Sequence, residues 1–130
     1  MKNFGKKAML LALLAAVLLT MCACHTNPPA ERLYAKLFSH FENHGFTCGL
    51  RPVEEDRSVP IYRASAWQSL MLDGEEILLY FDDSNRADYL SGFVDQDVFG
   101  PVWRFGLRFV LVYGGQDPAV LDALNAIENE

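Results

Sequence analysis

The spacing of apolar and polar residues changes repeatedly along this chain, and each change marks an element. Leu33, Tyr34, Leu37, Phe38 and Phe41 recur at the spacing of one helix face, and Gly45 stands where a left-handed residue ends such a helix. Residues Ala30 to His44 are therefore expected to form an amphipathic helix. Phe46, Cys48 and Leu50 then alternate with Thr47, Gly49 and Arg51, as in a half-buried strand. Pro52 confines that strand to a sheet edge, because it has no N–H to give to a ladder. Glu54-Glu55-Asp56-Arg57 has no apolar period and predicts a solvated turn.

Ile61 to Leu72 and Glu75 to Phe81 are two β-rich runs around Asp73-Gly74, the dipeptide suited to positive φ at both positions of a two-residue hairpin turn. Such a turn sets the register: Leu72 opposite Glu75, Leu70 opposite Ile77, Gln68 opposite Leu79 and Trp67 opposite Tyr80. Ala66, Leu70, Ile77, Leu79 and Phe81 then share the core face, while Trp67 and Tyr80 pair on the other. Asp82-Asp83-Ser84 is placed to cap a helix from about Asn85 to Phe93, with Ala87, Leu90 and Val94 on one side. Asp95 to Val102, with Gly100-Pro101, predicts a loop.

Trp103 to Tyr113 is the most β-like run, with Phe105, Leu107, Phe109, Leu111 and Tyr113 on one face and Arg104, Arg108, Val110 and Val112 on the other. Gly114-Gly115 turns the chain. Asp117-Pro118 opens a last helix whose inner face carries Val120, Leu121, Leu124 and Ile127. The expected fold is an α+β domain with a mainly antiparallel sheet of about four strands and helices packed on one face. Its core joins Leu70, Ile77, Leu79, Phe81, Phe109 and Leu111 to Leu37, Leu121 and Leu124.

The pattern before Ala30 is of another kind. Lys2, Lys6 and Lys7 precede an unbroken apolar run from Ala8 to Leu19, followed by Thr20-Met21-Cys22-Ala23-Cys24, which is the layout of a secretory leader. The run falls short of the roughly 20 apolar residues that span a hydrocarbon core. The end of the leader resembles a bacterial lipobox, at which a cysteine is lipidated and becomes the new N-terminus. Cys24, with the small Ala23 before it and Met21 further back, is the expected anchor; Cys22, preceded by the bulky Met21, is the alternative. Residues 1–23 would be removed, 24–29 would be the lipidated cysteine and a short Pro28-Pro29 tether, and 30–130 a single domain.

Charge narrows the partners. Three of the 11 basic residues lie in the leader and none of the 17 acidic ones does, which leaves eight against 17 and a formal charge of −9. So acidic a domain is repelled by nucleic acid and by anionic headgroups, so nucleic acid is excluded as a partner and membrane attachment falls to the lipid. With Cys24 acylated and Cys22 discarded, Cys48 has no intramolecular partner, and the core holds without a disulfide.

Little in the chain suggests catalysis. It has no Gly-x-Ser-x-Gly elbow, phosphate-binding glycine loop or Ser-x-x-Lys. His40 and His44 share a helix face, with Glu42 and Cys48 nearby. However, His-Phe-Glu-Asn-His is not the His-Glu-x-x-His of helical zinc sites, and two imidazoles fill only half a tetrahedral shell. Cys48 suits a small buried apolar position. Asp95-x-Asp97 starts like a calcium loop, but Phe99 and Gly106 occupy ligand positions. No metal, cofactor or enzymatic activity is expected. Trp67, Tyr80, Trp103, Arg104 and Arg108 form the candidate binding patch on an outer sheet face, being of the residue types enriched at binding hot spots.

The ending Leu107 to Ile127, with its hydrophobic strand, Val112-Tyr113-Gly114, Asp-Pro and short Leu-rich helix, resembles that of small uncharacterised lipoproteins from Gram-positive bacteria. Glu75 to Leu90, a hairpin strand followed by an acidic cap and short helix, is similar to theirs as well. The resemblance implies a lipoprotein on the extracytoplasmic face of the cell membrane and carries no catalytic residue with it. The expected function is a non-enzymatic binding or interaction module with a protein or cell-envelope partner; the alternative is a small-molecule or metal-binding lipoprotein.

Overall fold

The computed structural model describes residues 30–127. The leader, Cys22, Cys24 and the proline tether lie outside the described residues. Contacts divide the chain into Met1–Tyr34 and Ala35–Glu130, and the sheet belongs to the second unit. The elements in order are α1 (Ala30–Asn43), β1 (Cys48–Pro52), a 3₁₀ turn (Ala64–Ala66), β2 (Trp67–Leu72), β3 (Glu75–Phe81), α2 (Ala87–Ser91), α3 (Gln96–Phe99), β4 (Val102–Phe105), β5 (Phe109–Val112) and α4 (Pro118–Ala126). The five strands form one sheet in the order β1-β2-β3-β5-β4, and every pairing is antiparallel. This is the expected α+β class, with one strand beyond the expected four.

The β2–β3 hairpin has the expected register, Trp67 opposite Tyr80, Leu70 opposite Ile77 and Leu72 opposite Glu75. Asp73 (φ 49°) and Gly74 (φ 93°) both take positive φ, so the turn twists with the strands it joins. The Asp73 carboxylate also accepts from the Thr47 N–H at 3.2 Å, which ties the turn to the start of β1.

One sheet face carries Leu70, Leu72, Ile77, Leu79, Phe109 and Leu111, all buried, and the two longest helices lie over it. Leu37 and Phe41 of α1 and Val120, Ala123 and Leu124 of α4 are fully buried. His40 links the two helices: its Nε2 donates to the Ala123 carbonyl at 2.7 Å. Fully burying one such aliphatic or aromatic side chain contributes roughly 1.5–3 kcal/mol, so this layer dominates stability. Ala123, not the expected Leu121, points inward from α4; Leu121 stays partly exposed, one position off the buried stripe.

The opposite face is also covered. Val53, Trp67, Leu78, Ala87, Val94, Val110 and Val112 form a second apolar cluster, with Val59, Ile61, Tyr80, Leu90, Phe99 and Val102 packed against it. Its cover is irregular chain between Val53 and Ile61 together with α2 and α3. Residues 61–66, expected as strand, instead run through bends into the 3₁₀ turn, with Arg63 at φ 109°; β2 begins only at Trp67.

The expected long strand from Trp103 to Tyr113 is two strands. Gly106, at φ 60°, breaks it, and β4 folds back on β5 so that Phe105 lies opposite Phe109 and Trp103 opposite Leu111. Leu107, expected on one strand face with Phe105 and Phe109, sits at the turn and is 66% exposed. Uninterrupted alternation hid the break because residues 105 and 109 keep the same parity on either side of a three-residue turn. The turn is tied to the start of α2: the Arg108 carbonyl accepts from the Asp82 N–H at 2.7 Å and the Leu107 carbonyl from the Ala87 N–H at 3.0 Å. The stretch from Asp95 to Val102, expected as a loop, contains α3, whose first turn is capped by the Asp95 side chain accepting from the Asp97 N–H.

Candidate functional site

The five residues expected to form an open patch are not brought together on one surface. Trp67 and Tyr80 do meet, with ring centroids 5.2 Å apart, but Trp67 is only 1% exposed and its Nε1 donates to the Ile61 carbonyl at 3.0 Å. Trp103 lies on the other sheet face, 7% exposed, and its Nε1 donates to Asn125 Oδ1 at 3.2 Å. Neighbouring strand residues point to opposite faces, so Trp103 and Arg104 could not share a surface. Arg104 pairs with Asp88 of α2, and Arg108 donates from Nε to Asn85 Oδ1 at 2.7 Å. Packing and local pairing account for all five.

The His40 and His44 rings lie with centroids 4.9 Å apart and planes tilted by 49°, and His40 also lies 5.9 Å from the Phe105 ring. One nitrogen of His40 is committed to the Ala123 carbonyl. Cys48 is half-buried and its thiol points at the Phe38 carbonyl, 3.8 Å away. Burial pushes the Cys48 thiol up to about 11, helped by the negative charges of Glu42 and Asp73. Among the described residues, no group of three His, Cys, Asp or Glu is placed to hold a metal ion. Asp82 is a structural carboxylate: it is buried, accepts from the Ser84 and Arg86 N–H groups at 3.2 and 2.8 Å and pairs with the Arg86 guanidinium. Its burial would raise its pKa, but the bonds from Arg86 outweigh that and hold it below the ordinary aspartate value.

A different group of polar side chains converges beside the edge strand β1. Arg51, Pro52, Val53, Glu54, Arg57, Ser69, Met71 and Glu76 line a half-open cleft of about 470 Å³. The β1–β2 and β2–β3 registers place Arg51 opposite Ser69 and Glu76 opposite Met71, on the face carrying Trp67. Arg57 reaches in from the loop and holds Glu76 bidentately, Nη1 to Oε2 at 2.9 Å and Nη2 to Oε1 at 2.6 Å, while Ser69 Oγ donates to Oε2 at 2.9 Å. The Arg57 bonds outweigh the desolvation of Glu76 and, with Ser69 and the Arg51 charge, hold its carboxyl below the ordinary value. The same pairing raises the Arg57 pKa.

Sequence reasoning missed this cleft. The hairpin register already made Ser69 and Glu76 near diagonal neighbours on one face, but Arg57 belonged to a charge run with the pattern of a solvated turn, and nothing local says where its side chain lands.

No protein-family model, no curated protein and no solved structure matches this chain. The reading of its function therefore rests on its own residues.

Proposed function

We propose that this chain is a lipoprotein anchored through Cys24 to the extracytoplasmic face of the cell membrane, where its α+β domain acts as a non-enzymatic binding or interaction module. The observation that carries the proposal is the leader: Lys2, Lys6 and Lys7, the apolar run Ala8 to Leu19, Ala23 before Cys24, and Pro28-Pro29 leading into the domain. Kinship with the small Gram-positive lipoproteins that Leu107 to Ile127 resembles is part of the same proposal. Among the described residues no helix is long and apolar enough to cross a membrane, so attachment in this reading falls to the acyl chains.

A protein or envelope partner remains the leading reading. The alternative, a small-molecule-binding lipoprotein, is favoured by one observation, the polar cleft between β1 and the Val53–Arg57 loop. A metal-binding version has less support, since His40 Nε2 is engaged by Ala123.

Mass spectrometry of the mature N-terminus, run beside membrane fractionation of the Cys24→Ser variant, tests the anchor. The expected result is a chain beginning at a lipid-modified Cys24, with the variant either released into the soluble fraction or retained as uncut precursor. An unmodified Cys24, or lipid on Cys22, would overturn it.

A further inference from the structure

The outer edge of β1 carries a defined pattern of backbone groups. In the β2–β3 hairpin the two-residue turn makes Leu72 and Glu75 a hydrogen-bonded pair, and bonded pairs alternate along an antiparallel ladder, so Leu70 and Gln68 also turn their backbone groups toward β3. Met71 and Ser69 therefore bond across to β1, where Gly49 and Arg51 lie opposite them. Cys48, Leu50 and Pro52 turn theirs away from the sheet. Two observations agree with this phase: the Thr47 N–H points inward, held by Asp73 Oδ1 at 3.2 Å, and Pro52, which has no N–H, occupies an outward position. The edge is also bounded. Phe46, the outward residue before Cys48, gives its N–H to the Phe41 carbonyl, so only Cys48 and Leu50 present N–H groups there. Gly49 to Pro52 are exposed, and Leu50 shares the face of Leu70. At the opposite edge of the sheet α2 lies beside β4, joined to it by Arg104 and Asp88.

We propose that β1 pairs with β1 of a second copy of this chain, antiparallel about a two-fold axis at Gly49, joining the two sheets into one. With Gly49 facing Gly49, Cys48 of each copy lies opposite Leu50 of the other and the two exchange N–H and carbonyl bonds. Every outward N–H is then used, and the missing N–H of Pro52 is not called on. Leu50, 37% exposed, and the half-buried Cys48 cover each other on the helix side of the joined sheet. Arg51 falls opposite Thr47 of the second copy, whose N–H rests on the Asp73 carboxylate, so a cation meets an anion. The neighbouring register, with Leu50 facing Leu50, would set the Cys48 carbonyl against Pro52 and bring the two arginines diagonal to each other on one face. Gly49 itself has no task within the chain: a Cβ there would meet nothing within 4 Å, and its φ is not positive. Glycine inside a strand weakens it and often marks where another backbone comes close. On the axis the two backbones form a non-bonded pair, whose Cα separation is the shorter one of about 4.5 Å. The inference rests on reading the domain as an interaction module, for which it names a partner, and is independent of which cysteine carries the lipid.

Oxidative cross-linking of the full chain on intact cells tests the register. Gly49→Cys places two thiols on the axis, whereas those of Arg51→Cys lie well apart along the paired strands, beyond the roughly 7 Å Cα separation that a disulfide can bridge. Gly49→Cys should give about tenfold more covalent dimer than Arg51→Cys or the exposed control Tyr62→Cys, over the background of the native chain. Should the anchor reading fail, a free thiol at Cys24 would raise that background in every variant alike and leave the contrast intact. A second measurement uses Gly49→Lys and Gly49→Glu on differently tagged chains, which keep their fold because the added side chain enters open space. Each should lose self-association alone and regain it when the two are mixed, since like charges across the axis repel and opposite ones attract. Equal cross-linking at positions 49, 51 and 62, a Gly49→Cys adduct with a different protein in place of the dimer, or self-association unchanged in Gly49→Lys would each overturn the pairing.

Discussion

Gly100 and Gly114 pass each other closely enough that a Cβ added to Gly100 would lie 2.8 Å from the Gly114 Cα and 2.8 Å from the Tyr113 carbonyl oxygen. Gly100 also holds φ 102° and ψ −177°, a backbone region open almost only to glycine. The contact lets the chain leave α3 and enter β4 directly beside the end of β5. Gly100→Ala is therefore expected to destabilise the fold by about 1–3 kcal/mol from backbone conformation alone, with the clash adding to it. Thermal unfolding of the variant checks this, and an unchanged midpoint would refute the close approach.

Leu79 is fully buried at the centre of the sheet, paired with Gln68 on one side and Leu111 on the other. Leu79→Ala leaves a cavity beneath α1 and α4 that rigid neighbours fill only in part, and an expected loss of about 2–5 kcal/mol follows. Leu107→Ala, at an exposed turn position, should change stability by less than about 0.5 kcal/mol. Denaturant unfolding of the two variants side by side measures the contrast.

Glu76 links pH to stability. Its folded pKa is depressed below the ordinary value of 4.5, chiefly by the Arg57 hydrogen bonds, so the pairing stabilises the fold above pH 4.5 and is lost as pH falls through the folded value. Melting temperature measured against pH should drop below that point, and Glu76→Gln should flatten the drop while lowering the plateau at neutral pH. The pair is partly exposed, so the effect should be modest and should shrink in high salt.

Cys48 should react slowly. With its thiol pushed up to about 11, only roughly one molecule in a thousand carries the thiolate at pH 8, and the thiolate is the nucleophile. Iodoacetamide labelling of the native chain at that pH should lag far behind labelling after denaturation. Equal rates would show that the thiol is neither buried nor raised.

The β2–β3 hairpin was legible in the sequence to the residue, because Asp73-Gly74 dictates a two-residue turn and the turn dictates every pair beyond it. The start of α4 was legible for the same reason, since the Asp117 side chain accepts from the Ala119 and Val120 N–H groups a few residues on. Asp82, expected to cap α2, instead holds the Ser84 and Arg86 amides of the turn before it, and α2, preceded by Arg86, has no side-chain cap. The class of the fold followed from these elements together.

What the tertiary structure alone decided are the features that depend on chain far apart in sequence. Alternation in Trp103 to Tyr113 is the same for one strand and for two strands folded at Gly106, and only the pairing of Phe105 with Phe109 separates them. Trp67 and Tyr80 were correctly paired, yet whether that face stays open depends on where the Val53–Ala66 segment settles, and its Val59 and Ile61 settle onto the sheet. The cleft arises in the same way: β-sheet register sets Arg51, Ser69 and Glu76 on one face, and a loop whose course is dictated by the packing of Val53 beside it delivers Arg57 to Glu76. Local periodicity and turn chemistry act over a few residues, whereas burial is settled by whichever distant segment gains most from covering an apolar surface.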